Sequence, residues 1–393
     1  GEGGDRMKTV VLRGPSLTQS GYGVHARQIA KWLLSKPDFD VKFSTLPWGE
    51  TPWFLDGKAH GGLIGEIMKR SVKQDFKADI SFQLQLPNEW DPSIAPVNIG
   101  ITAGVETDRC HASWPAACNK MTAVVVPSQH TKSCLINSGP VNRPLYVIPE
   151  AYSEACAAED VPQIVDFETP FNFLVFGQLT GNNPENDRKN IFYTIKWLTE
   201  AFKDDPEVGI VLKTNAGKNS KIDRGMTKGL LTAVTNEARH IAGGKGPKVY
   251  LLHGDMNDVE VASLYRHPKI KALVTLTRGE GFGLPILEAA ASGLPIIATG
   301  WSGHLDFLRH GKYVSVYYQL GDIHPSRIDN KIFVPGARWA NPSEEDFKKR
   351  VTKFRSSHQT PKQWADELQP IIQEKYSLDA ISKQYDEALR EYF

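Results

Sequence analysis

Four cysteines among 393 residues (Cys110, Cys118, Cys134 and Cys156) are few, and no two have C-x-x-C spacing. That excludes a disulfide-built scaffold and a structural zinc cage, and it fits a reducing compartment. No apolar run approaches the ~18 residues that a membrane-spanning helix needs. The six residues before Met7 carry no apolar signal region and read as a remnant outside the fold, so the expected location is cytoplasmic, with peripheral membrane contact left open. Charge of one sign is also missing: Lys and Arg total 46 against 45 Asp and Glu, a net +1. A protein whose main business is electrostatic binding to nucleic acid or acidic lipid is thereby excluded, local basic patches apart. What is present is a globular composition, 40% hydrophobic and 23% charged. The length suits two domains of roughly 150–200 residues each.

Apolar runs alternate with segments of helical period. Val10 to Arg13 predicts a strand, followed by a Gly-rich turn and a helix over Tyr22 to Leu34. In that helix Ala26, Ile29, Ala30, Leu33 and Leu34 form one stripe. Further strands are expected at Val41 to Leu46, Ile80 to Leu84, Val97 to Thr102, Ala123 to Val126 and Leu145 to Ile148, with helices at Leu63 to Val72 and Thr131 to Asn137. After a Pro- and acid-containing stretch, Val161 to Pro170, the pattern restarts: strands at Phe171 to Phe176, Gly209 to Leu212, Val249 to Leu252, Leu273 to Leu276 and Pro295 to Ala298, with helices between. Continuous apolar strands between helices mean parallel sheets covered on both faces. The expected fold is α/β, two doubly wound Rossmann-like domains facing across a cleft: residues 7–165 with the final helix 377–393 packing back, and residues 166–376.

The most informative segment is Arg278-Gly-Glu-Gly-Phe-Gly-Leu-Pro-Ile-Leu-Glu288. A buried strand runs into a Gly-rich loop, and Pro285 is expected at the first helical position, where its missing N–H costs nothing. Gly281 and Gly283 let the backbone approach a ligand, and a helix start offers free N–H groups and partial positive charge, an anion site suited to a diphosphate. Glu280 and Glu288 flank it; acids beside a phosphate nest suggest hydroxyl binding, hence a sugar nucleotide. The plainer alternative is a dipole-complementing Glu288 and a solvated Glu280.

Glu280-Gly-Phe-Gly-Leu-Pro-x-x-Glu288-Ala, followed by Ala291-Ser-Gly-Leu-Pro-Ile-Ile-Ala298, resembles the signature of family-4 glycosyltransferases, retaining enzymes of GT-B fold. The resemblance implies that Glu280 meets donor-sugar hydroxyls and Glu288 ribose hydroxyls, while backbone N–H groups of Phe282, Gly283 and Leu284, with Gly281, hold the sugar and diphosphate. Ser20-Gly-Tyr-Gly-Val-His-Ala-Arg27 matches the family's N-terminal glycine loop, so Gly21 and Gly23 would face the donor; an ordinary tight turn is the alternative. Asp187-Arg-Lys-Asn190 resembles the element whose two cations grip the diphosphate. Lys189 aligns with the family Lys, but Gln178 stands where an Arg is usual, and Arg188 is the expected substitute. By family position the base pocket lies near Leu252 to Asn257. Glu106, in Gly104-Val-Glu-Thr-Asp-Arg-Cys-His111, is expected to contact the donor sugar or acceptor hydroxyl, with Asp108 and His111 behind it.

On the acceptor side, Trp48 and Trp53 in a Pro- and Gly-containing loop are candidates for stacking on a sugar, with burial as the alternative. The implied function is metal-independent, retaining transfer from a nucleotide sugar, UDP- or GDP-linked, to an unidentified hydroxyl acceptor (glycan, lipid, protein, metabolite or modified nucleic acid). No cofactor is expected. A nucleotide-sugar epimerase or hydrolase of the same fold, and a non-catalytic nucleotide-sugar-binding protein, are the competing readings.

Overall fold

Fourteen strands and their helices are seen in the computed structural model, which describes residues 7–181, 183–214, 221–242 and 246–393. The leader before Met7 lies outside the described residues. The chain divides into two units: residues 1–105, 109–151 and 378–393 form the first, and 106–108 with 152–377 the second.

In the first unit β1 (Lys8–Gly14), β2 (Phe39–Thr45), β3 (Ile80–Leu84), β4 (Val97–Ile101), β5 (Ala123–Val126) and β6 (Leu145–Val147) form a sheet in the order β2-β1-β3-β4-β5-β6. Every pairing is parallel. Residues of β3 and β5 are buried throughout, as expected of strands covered on both faces. The helix Gly21–Leu34 starts on Ser20, whose hydroxyl accepts the Gly23 N–H at 2.9 Å. The last helix, Leu378–Leu389, returns to this unit and packs on it: Trp32 tilts against Tyr385 at 5.0 Å, its Nε1–H donates to Asp386 at 2.9 Å, and Lys36 pairs with the same carboxylate.

In the second unit β7 (Phe171–Phe176), β8 (Val208–Thr214), β9 (Lys248–His253), β10 (Ile270–Thr275), β11 (Ile296–Thr299) and β12 (Val314–Val316) form a second parallel sheet, ordered β12-β11-β10-β7-β8-β9. The chain builds outward from β7 through β8 and β9, then returns to the other side of β7 at β10. Loops leaving β7 and β10 therefore diverge at one crevice, the place where doubly wound sheets bind ligands. An antiparallel hairpin, β13 (Tyr318–Asp322) and β14 (Arg338–Pro342), follows, and the residues between its strands enclose a small core of Ile323, Phe333, Val334, Ala337 and Trp339. The hairpin was not anticipated, because Gly321, Asp322, Asn341 and Pro342 are poor strand formers. Nor were the helices Glu344–Ser356 and Gln359–Lys375.

Removing the Trp32 indole takes away a core side chain 2% exposed and its bond to the last helix. Trp32→Ala is expected to cost about 3–5 kcal/mol, read as a lowered chemical-denaturation midpoint of the first unit.

Candidate active site

The loops leaving β7 and β10 in the second unit meet in one ion cluster. The loop after β10 delivers Glu280, 5% exposed; the loop after β7 delivers Arg188 and Lys189. Arg188 Nη1 donates to Glu280 Oε2 at 2.6 Å and Lys189 Nζ to Oε1 at 2.6 Å. Arg188 also donates to the Gly279 carbonyl at 2.8 Å and stands 3.6 Å from Glu106. Burial pushes the Glu280 carboxyl up, but the charges of Arg188 and Lys189 outweigh it and hold the group at about 2. For Arg188, burial works against the charge, yet Glu280 and Glu106 raise its value above the usual one.

Local sequence explains why the loops stay there. Asp187 accepts the Ile191 N–H at 2.8 Å, at the start of the helix Ile191–Ala201, and the Lys189 N–H at 3.2 Å, which holds the two cations between them in place. Arg278, 3% exposed, donates to the carbonyls of Asp187 (3.1 Å) and Pro184 (3.4 Å), to Asn190 Oδ1 (3.2 Å) and to Asn341. One guanidinium thus ties the cation loop to the hairpin. Gly279 is required by close approach, since a Cβ there would collide with the Glu106 carbonyl. Two non-glycine residues take left-handed backbone here, Asn190 (φ 59°) and Ser302 (φ 91°), and the Ser302 hydroxyl accepts the Glu280 N–H at 2.8 Å. Asp187, Arg278 and Ser302 were missed from sequence; only Asp187 carried a signal, an acid just before a helix.

The signature helix runs Leu284–Ala291, so Pro285 occupies its second position, not its first. Gly283 caps it with φ 92°. The N–H groups of Phe282, Gly283 and Leu284 donate to no acceptor among the described residues, which leaves them for a ligand. Glu288, one turn into the helix and half-buried, accepts the Ser153 N–H at 3.2 Å, and the Cys156 thiol lies 3.5 Å from the same oxygen. Desolvation lifts its carboxyl to about 7. Near the expected base pocket, Lys213 donates to the Gly254 carbonyl at 2.7 Å, and burial lowers its ammonium to about 8.

The other candidates are dispersed. Glu106 joins the cluster through Arg188, whereas Asp108 bonds the Arg338 N–H at 2.7 Å and its Nε at 2.9 Å, anchoring the hairpin. His111 accepts the Ser113 N–H at 3.0 Å at the start of the helix Ser113–Cys118. In the first unit a Cβ on Gly23 would strike the Thr18 carbonyl, while one on Gly21 would meet nothing within 4 Å. Trp48 stacks on Tyr22 at 3.7 Å, and Trp53 is 36% exposed. Gln178 is exposed. Among the described residues no three His, Cys, Asp or Glu side chains gather as metal ligands. The chain does contain one Asp-x-Asp spacing, Asp38-Phe-Asp40; its first acid precedes β2 and its second lies near that strand's amino end.

Residues 239–323, which carry the Glu280–Glu288 segment, match the family model described as glycosyl transferases group 1. Among solved structures, sucrose-phosphate synthase from Thermosynechococcus elongatus is similar at TM-score 0.60 and 13% identity over 98% of both chains. The Anabaena HepE structure in complex with UDP gives 0.58 at 13%, over 98% of this chain and 100% of that one. The apo lipopolysaccharide outer core galactosyltransferase WaaB gives 0.57 at 13%, with the same coverage. The fold is GT-B. No curated protein sequence matches the chain significantly. Identities this low establish the architecture; the activity has to be argued from the GT-B site itself. Among the described residues no helix is long and apolar enough to cross a membrane.

Glu280→Gln leaves Arg188 and Lys189, 22% and 31% exposed, facing a neutral amide. Losing one member of a buried pair costs about 3–5 kcal/mol, and the partial exposure of the cations places this case at the lower end. Because the folded value is depressed from 4.5 to about 2, the contribution is full above 4.5 and is lost as pH falls through 2. Glu288 has the opposite sign: raised from 4.5 to about 7, it contributes fully below 4.5 and loses that as pH rises through 7. Urea titrations across pH should show Glu280→Gln converging on wild type in acid, and Glu288→Gln gaining relative to wild type toward pH 8.

Proposed function

We propose that the protein is a retaining, metal-independent family-4 glycosyltransferase that moves a sugar from a UDP- or GDP-sugar to a hydroxyl acceptor. The observation that carries this reading is the buried Glu280 carboxylate gripped by Arg188 and Lys189 beside a helix start with free N–H groups, at the crevice between β7 and β10. The group 1 glycosyl transferase match over the same segment supports it, as do similar structures that include a galactosyltransferase and a UDP complex.

In this reading the domain expected at residues 166–376 holds the donor, and the one expected at residues 7–165 serves the acceptor. Glu280 receives hydrogen bonds from sugar hydroxyls and Glu288 from those of the ribose. Leaving-group charge falls on Lys189, Arg188 and the N–H groups of Phe282, Gly283 and Leu284, which aim fixed donors at charge that grows in the transition state. Gln178 donates a hydrogen bond without a charge, so Arg188 supplies the second cation. The departing phosphate oxygen takes the acceptor proton while the new bond forms on the face it leaves. Protein work is then positioning and charge stabilisation. Glu106, linked to Arg188, contacts the donor sugar or the acceptor hydroxyl in this reading. The cytoplasm is the proposed site of action.

A thermal-shift screen with UDP-, GDP- and ADP-sugars tests the donor, since a ligand at 100 times its dissociation constant adds about 2.7 kcal/mol. Calorimetry with the matching nucleoside diphosphate should find binding preserved in Glu280→Gln and weakened in Glu288→Ala, with transfer crippled in the first. Equal loss of binding in both would refute the division of roles. Lys189→Ala should cost about 2.7–4 kcal/mol at the transition state and less in ground-state binding. Transfer should persist in excess EDTA; complete, magnesium-reversible loss would refute metal independence.

A further inference from the structure

Two donors converge on a single oxygen of Glu288. The Ser153 N–H reaches Oε2 at 3.2 Å and the Cys156 thiol lies 3.5 Å from the same atom, whereas Oε1 receives no hydrogen bond from any described residue. The turn that presents both donors is fixed by its own bonds. The Cys156 N–H donates to the Ser153 carbonyl at 2.9 Å, the Tyr152 N–H to the Tyr376 carbonyl at 3.2 Å, and the Tyr152 hydroxyl to the Gln373 carbonyl at 2.8 Å. Cys156 is 1% exposed, and burial holds its thiol well above the usual range, so it stays an S–H donor.

Unlike Glu280, Glu288 forms no ion pair among the described residues. The elements packed on its helix do not supply a cation. The helix Asp258–Tyr265 brings Asp258, of like charge, and the buried Tyr265 phenol, and β11 carries no ionisable side chain. The helix Gln359–Lys375 meets it through Gln369 and Gln373, whose amides donate to the Ala291 carbonyl at 3.3 and 2.9 Å; Lys362 on that helix is engaged by the Gly293 carbonyl and Asp366. A desolvated carboxyl without a cation favours its neutral acid, and burial accordingly lifts Glu288 to about 7. With two donors on Oε2, the proton belongs on Oε1.

We propose that Cys156 is a positioning residue for nucleotide binding: with the Ser153 N–H it fixes Oε2, presents Oε1 to the ribose, and couples capture of the ribose to release of the Glu288 proton. The inference rests on the reading of Glu288 as the ribose-binding acid. Ribose hydroxyls donate into Oε1, the O–H bond of the acid breaks as they do so, and the proton passes to the buffer. No other bond changes. The thiol bond favours the charged form, so it sets how much of the proton is held at a given pH.

The test uses the full chain. Calorimetry identifies which of UDP, GDP and ADP binds. The titration with that nucleotide is then repeated near neutral pH in phosphate and in Tris, whose ionisation heats differ, so that the difference in heat counts protons. Wild type should release about half a proton per nucleotide more than Glu288→Gln, because a group near 7 is about half protonated there. Cys156→Ala, which removes a donor to the charged form, should release more than wild type and bind about threefold more weakly. Cys156→Ser, with a stronger O–H donor, should release less and bind within about twofold of wild type. A loosened turn alone would weaken binding and leave proton release where it was. Equal release in wild type, Cys156→Ala and Cys156→Ser would therefore overturn the proposal and leave the ribose reading intact. Equal release in wild type and a more weakly binding Glu288→Gln would do the same. Glu288→Gln binding as tightly as wild type, or binding of none of the three nucleotides, would bring down the ribose reading and this proposal with it. Should Cys156→Ala fail to fold, Cys156→Ser against wild type decides alone.

Discussion

Everything at the candidate site is arranged around one carboxylate that may not be left alone in a dry place: Glu280. Its ionised form survives at the floor of the crevice because Arg188 and Lys189 each bring a donor within 2.6 Å. Those cations sit on a separate loop, so the ion cluster doubles as the joint between the segments leaving β7 and β10. The supporting geometry follows: Asp187 accepts the first N–H of the helix behind the cations, Arg278 binds both loop and hairpin, and Ser302 accepts strained backbone to catch the Glu280 N–H. Such pairs contribute little net stability over an apolar core, but they are intolerant of losing one member. The protein gives up part of its stability to keep a buried carboxylate in a fixed place.

The fold was legible wherever burial is two-sided. Ile80 to Leu84, Ala123 to Val126 and Phe171 to Phe176 were placed to the residue; Ala123 to Val126 is apolar throughout, and the other two are mostly so, with Ser81, Gln83 and Asn172 buried among their apolar residues. Most boundaries elsewhere moved by one or two residues, as with Pro285, which lies one position deeper in its helix, but the helix from Leu63 ends three residues early at Lys69, β10 starts three early at Ile270, and the helix expected from Leu230 starts at Lys221. The hairpin β13–β14 was invisible for the converse reason: it is stabilised by pairing and by a small core around Trp339, not by its own propensity.

At the site, local chemistry was readable and long-range chemistry was not. Glu280, Lys189 and Arg188 announce themselves by neighbours in sequence. That Asp108 would anchor Arg338, 230 residues away, or that Arg278 would reach Asn341, depends on pairings between polar side chains that leave no periodic trace. That His111 would accept the Ser113 N–H at the start of the helix Ser113–Cys118 was likewise not read from the sequence.

The first unit is assembled from three stretches of chain, and its last piece, Leu378–Leu389, comes after the whole second unit. During synthesis the face of Trp32 that will meet Tyr385 has no partner until more than 340 further residues have been added, judged from positions 32 and 378. The second unit, apart from Glu106–Asp108, is contiguous and can condense on the ribosome as it emerges. The first unit therefore cannot complete its packing until the second has been synthesised.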